Sequence, residues 1–174
     1  GRELRALTTS CFPGDALDLS RCTKLATIGH HFCSESPNLA TASLPPSVTA
    51  LGLSAFSEGS VTALDLSGND GLALDNAAFG RLVRLKTLSV ADCGLAGLPS
   101  VALSRSVTTL DISGNPYLDC RTIPAGGLSA VTELTCDSME WAAVPRQLCV
   151  LKALTTLRLR CNPLETLDGL QLAR

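Results

Sequence analysis

The stretch VTALDLSGNDGL, residues 61–72, decides the fold. Val61, Leu64 and Leu66 occupy a frame of aliphatic, two residues, aliphatic, one residue, aliphatic, and Asn69 follows as a polar residue in apolar company. The frame returns in VTTLDISGNPYL from Val107 and in LTTLRLRCNPL from Leu154, each with an asparagine eight residues after its first aliphatic, at Asn115 and Asn162. Two further copies are Leu85/Leu88/Val90 and Val131/Leu134/Cys136; a weaker one is Leu39/Ala42/Leu44, and Leu17/Leu19 is partial. The middle aliphatics Leu64, Leu88, Leu110, Leu134 and Leu157 recur every 22 to 24 residues. A fixed period of this length signals a solenoid, in which each coil buries its apolar face only by stacking on its neighbours.

The pattern resembles the leucine-rich repeat family, whose signature L-x-x-L-x-L-x-x-N/C-x-L gives one strand and one return segment per coil. The resemblance covers roughly residues 16 to 170 and implies an α/β repeat fold, a horseshoe with a concave parallel sheet of about seven strands and irregular or short-helical convex segments. The polar ninth position is Cys22, Asn69, Cys93, Asn115 and Asn162. Side chains there are expected to turn inward and satisfy backbone groups that no sheet pairs. Ser47 and Met139 stand at that position in the other two copies, so two interruptions of the ladder are expected. A second resemblance lies between the strands: Phe32, Phe56 and Phe79 precede successive strands, as in the BspA-like subclass found in many bacterial and protist surface proteins. From Leu98 onward LPSVAL, IPAGGL and VPRQL depart from it, with an early proline and an aliphatic where phenylalanine stood.

The whole chain, 1–174, reads as a single domain, with 1–15 as an N-terminal cap-like segment, 16–170 as about seven repeats of 22–25 residues, and a C-terminal cap absent or minimal. Solenoid ends need covering, so the expectation is either a piece of a longer protein or ends that fold back. With 45% hydrophobic and 17% charged residues the chain can bury a core. No apolar run reaches the roughly 18 residues of a membrane span, so no membrane insertion is expected. A net charge of −2 with scattered Lys and Arg, and 3% aromatics, argue against a nucleic-acid surface.

Eight cysteines are many for this length. Cys22 and Cys93 fall on the ladder, and Cys136 replaces a strand aliphatic, where a buried thiol serves as a small hydrophobe. Cys11 and Cys33 flank the first coil, and Cys120 and Cys149 lie on neighbouring return segments. One or two disulfides among these four, and hence an oxidising compartment, are expected, with free thiols as the alternative; spacing alone does not fix the pairing.

Chemistry is sparse. His30, His31 and Cys33, with Cys11 or Cys22, are residue types that ligate zinc, but adjacent histidines in an extended segment point apart. These are the only two histidines, and no nucleophile or phosphate-loop motif accompanies them. No catalytic residue, metal or cofactor is therefore expected, and the chain reads as a non-enzyme. Trp141 occupies an inward position and Tyr117 an outward one.

Function in such an architecture sits on the concave strand faces, because alternate strand residues point to opposite sides. The central column runs Asp18, Ser43, Asp65, Ser89, Asp111, Thr135, Arg158. It is small, polar and mildly acidic until Glu133 and Asp137 meet Arg158 and Arg160. Cross-strand ion pairing between these is the plain expectation. The functional alternative is a charged patch that orients a protein partner, with Asp65, Asp111, Glu133, Thr135, Asp137, Arg158 and Arg160 as the contact residues. The resemblance implies a non-catalytic module that binds a protein or glycan, in adhesion, host interaction or receptor-type recognition at the cell surface or outside the cell. The runner-up is an intracellular scaffold or substrate adaptor serving an enzymatic domain elsewhere.

Overall fold

Every copy of the frame becomes a three-residue strand whose middle side chain points inward. The computed structural model describes residues 4–56, 60–72, 82–99, 102–149 and 151–167. Among them the strands are β1 (Ala6–Leu7), β2 (Ala16–Asp18), β3 (Thr27–Ile28), β4 (Thr41–Ser43), β5 (Ala50–Leu51), β6 (Ala63–Asp65), β7 (Thr87–Ser89), β8 (Thr109–Asp111), β9 (Glu133–Thr135) and β10 (Thr156–Arg158). The seven at the frame positions form one parallel sheet in the order β10-β9-β8-β7-β6-β4-β2, each beside its neighbour in the repeat order. This is a parallel-stranded solenoid, the architecture that the leucine-rich repeat resemblance implies.

Register is kept from coil to coil: Leu17, Ala42, Leu64, Leu88, Leu110, Leu134 and Leu157 lie in one row. The interior members of that row are buried, and each buried leucine contributes roughly 2 kcal/mol of transfer free energy. Leu17 and Leu157, in the terminal coils, are only half-buried. The sheet runs on past its three-residue strands by parallel-type bonds, such as Leu66 N–H to Ser89 O at 2.9 Å and Gly68 N–H to Ala91 O at 2.8 Å. The chain then turns through a left-handed residue, and Gly68, Asp92, Gly114, Ser138 and Cys161 all have φ between 53° and 77° there.

A second parallel sheet, β1-β3-β5, stands on the return side of the first coils. In the segment read as cap-like, Ala6 and Leu7 pair with Thr27 and Ile28, and Thr9 and Ser10 carbonyls accept from Cys33 and Glu35. Tight stacking is possible because glycines face each other, a Cβ on Gly52 having nowhere to go but into the Gly29–His30 backbone. Beneath lie Phe32 and Phe56, both fully buried, edge to face with centroids 5.8 Å apart. Phe79 lies outside the described residues. Farther along, the return segments become turns, a 3-10 turn at Cys120–Thr122 and a single helical turn at Arg146–Cys149.

Candidate functional site

The asparagine ladder fixes the sheet's exit loops. Asn115, with no exposure, accepts from Cys93 N–H at 3.1 Å and Leu95 N–H at 3.0 Å, and donates to the Val90 and Ile112 carbonyls at 2.9 and 2.8 Å. Asn69 receives Val48 N–H and donates to Leu66 O. Asn162 takes the Met139 and Trp141 N–H groups. Cys93 donates through its thiol to Leu66 O at 3.2 Å and Ala91 O at 3.3 Å, and its sulfur also faces the Asn69 main-chain N–H, while Cys22 sits half-buried against the core. The interruption expected at Ser47 is only partial, because its hydroxyl is long enough to donate to Leu25 O at 2.8 Å. Met139 does interrupt the ladder, filling its place as a buried hydrophobe.

On the concave side, register places Asp18, Ser43, Asp65, Ser89, Asp111, Thr135 and Arg158 in one continuous row. Glu133 lies in the row before it, opposite Thr109 and Thr156. Three of the aspartates share a local device: Asp18, Asp65 and Asp111 each accept, through Oδ1, the backbone N–H of the serine two residues on, at 2.9, 3.0 and 2.9 Å. The recurring Asp-x-Ser of DLS and DIS carries that signal. At Asp18 the serine's hydroxyl and N–H together hold the carboxyl below its usual range.

The cross-strand ion pairs expected between Glu133 or Asp137 and Arg158 or Arg160 are absent among the described residues. Register explains the first, since Arg158 is opposite Thr135 and Glu133 is opposite Thr156. Backbone geometry explains the second: Asp137 turns its Oδ1 to the Arg160 main-chain N–H at 2.7 Å. Asp137 N–H in turn donates to Ser113 Oγ, which donates to Asp111 Oδ1 at 2.6 Å. A polar relay therefore crosses β8 to β10 and leaves both guanidinium groups exposed beside it. Nearer the middle, Ser67 and Ser89 hydroxyls meet at 2.6 Å, and a shallow depression of about 230 Å³ opens over Thr41, Ser43, Ala63, Asp65, Thr87 and Ser89.

His30 is engaged in the coil stack, its Nδ1 accepting Leu53 N–H at 2.8 Å. Among the described residues no three His, Cys, Asp or Glu side chains converge on one point. All eight thiols are free in this structure. Cys11 and Cys161 are exposed, while Cys120 and Cys149 are buried on consecutive return segments, with the Cys149 thiol 3.5 Å from Pro145 O. Burial pushes the Cys33, Cys93 and Cys149 thiols up, and that of Cys120 to about 11. Trp141 is half-buried against the core and Tyr117 is 81% exposed.

No family model matches the chain. Vasorin of Mus musculus is 35% identical over 107 residues, which is 60% of this chain and 16% of vasorin. A solved structure described as the functional domain of InlJ from Listeria monocytogenes, which includes a cysteine ladder, covers 88% of this chain and 34% of that one, at 19% identity and a TM-score of 0.42. The chain thus spans only a minor part of either protein. No helix among the described residues is long and apolar enough to cross a membrane.

Proposed function

We propose that this chain is a non-catalytic recognition module whose concave sheet binds a protein or glycan partner, with the polarised end at β8–β10 orienting it. The observation that carries this reading is the exposed Arg158 and Arg160, free of carboxylate partners among the described residues and set beside an acidic and hydroxyl-rich row. Segregated charge of this kind steers encounter and fixes register more than it adds affinity. Asp65, Asp111, Glu133, Thr135 and Asp137 supply the complementary side, and the depression over Asp65 leaves room for a small projecting group. The cysteine content and the resemblance to surface leucine-rich repeats support a secreted or cell-surface setting, in adhesion or receptor-type recognition; disulfides drawn from Cys11, Cys33, Cys120 and Cys149 belong to that reading.

The test is a binding screen over extracellular protein and glycan arrays, repeated with Arg158→Glu/Arg160→Glu. A loss of tenfold or more, about 1.4 kcal/mol, supports the concave site. Unchanged affinity places the site elsewhere. A second reading is an intracellular scaffold or substrate adaptor, which thiols found free in solution would favour. Mass measurement after alkylation of the denatured, unreduced chain separates the two: fewer than eight labelled thiols support the extracellular setting, and eight support the adaptor.

A further inference from the structure

On the convex side, a cleft of about 300 Å³ opens between the return segments that follow β8 and β9. Its walls are mainly apolar, with Ile123, Pro124, Leu128 and Leu151 as the principal surfaces and Gln147 and Lys152 as polar groups at the lining. The volume reaches the lower end of the range of small-molecule sites. Gly126, in its lining, has φ of +76°, a left-handed backbone that favours glycine.

The electrostatics of the same two segments are one-sided. Between Asp119 and Glu133 there is no carboxylate, and between Glu140 and β10 the only charged residues are Arg146 and Lys152. Asp119 itself is held by Arg121 in a two-pronged pair, at 2.9 and 3.0 Å. Lys152 is exposed and makes no ion pair among the described residues. An apolar cleft with one uncompensated ammonium group suits a ligand with an apolar body and a single anionic head.

We propose that this cleft binds a small aliphatic monocarboxylate, its chain against Ile123, Leu128 and Leu151 and its carboxylate at the Lys152 ammonium. The proposal is independent of the concave site. Titration calorimetry of the whole chain with butyrate, hexanoate, octanoate and octylammonium tests it. Affinity is expected to rise roughly fourfold per added methylene until the cleft is full, with octanoate preferred at least tenfold over octylammonium. Lys152→Gln should erase that preference, and Ala125→Trp, at an exposed lining position, should block binding. Equal affinity for the acid and the amine, no dependence on chain length, no saturation below about 10 mM, or an unaltered Lys152→Gln titration would each overturn it. Binding of an acidic peptide without binding of octanoate would also overturn it, and would assign the cleft to a protein partner.

Discussion

Asn115 holds Cys93 across the coil boundary, its side-chain oxygen accepting the Cys93 N–H at 3.1 Å and, on the same oxygen, the Leu95 N–H at 3.0 Å. Removing it strands these two donors together with the Val90 and Ile112 carbonyls in a region without solvent. Asn115→Ala is therefore expected to cost about 3 kcal/mol or more, since each unsatisfied buried group costs about 1–3 kcal/mol. Asn162→Ala, at a half-buried position where water can substitute, should cost about 1–2 kcal/mol. Urea unfolding of the two variants measures the difference, and equal losses would contradict it.

Ser138 occupies the left-handed position that Gly68 and Gly114 fill in other coils, with φ of 54°. An L-residue there costs roughly 1–2 kcal/mol, and glycine gives back about 0.5–1 kcal/mol in unfolded-chain entropy. Ser138→Gly should stabilise the chain by about 0.5 kcal/mol. Calorimetry should show a small rise in Tm; a fall would mean that the serine side chain contributes more than its backbone costs.

Gly52→Ala presses a methyl group into the Gly29–His30 backbone between β3 and β5. Backbone cannot swing aside as a side-chain tip can, so a loss of about 1–3 kcal/mol is expected. Coils stack with nearest neighbours only, so hydrogen exchange should speed up around Thr27–Leu51 and stay unchanged at β8–β10. Uniform acceleration would disprove the local character of the defect.

Thiol titration should erode stability at high pH. Burial raises Cys120 from 9.0 to about 11 and places Cys136 well above 9.0. The folded state then binds these protons more tightly than the unfolded one, so the stabilisation is whole below pH 9 and is lost as pH climbs toward 11. Denaturant midpoints between pH 8 and pH 11 should fall, and Cys120→Ala should flatten the slope. Alkylation at neutral pH should label Cys11 and Cys161 before the other cysteines.

The concave sheet was legible because its frame repeats: three aliphatics at fixed offsets put Leu64, Leu88, Leu110 and Leu134 inside, and alternation put Asp65 and Asp111 outside. The β1-β3-β5 sheet was not. Its strands are two residues long, too short for alternation to register, and only their stacking makes them a sheet. The relay through Asp137 also escaped the sequence, which shows that an acid and a base are neighbours but not that the acid will choose the main-chain N–H of Arg160 over its guanidinium. The convex cleft is invisible for a different reason: it lies between two coils, and no pattern within one repeat announces a gap between two.

Parallel pairing without any slip from β2 to β10 turns the concave side chains into a ruled lattice, about 4.8 Å from strand to strand and about 6.6 Å between successive outward residues along a strand. A coil gained or lost lengthens or shortens this lattice by one line and leaves every remaining address unchanged, so the reach of the surface and the identity of its contacts are free to vary separately.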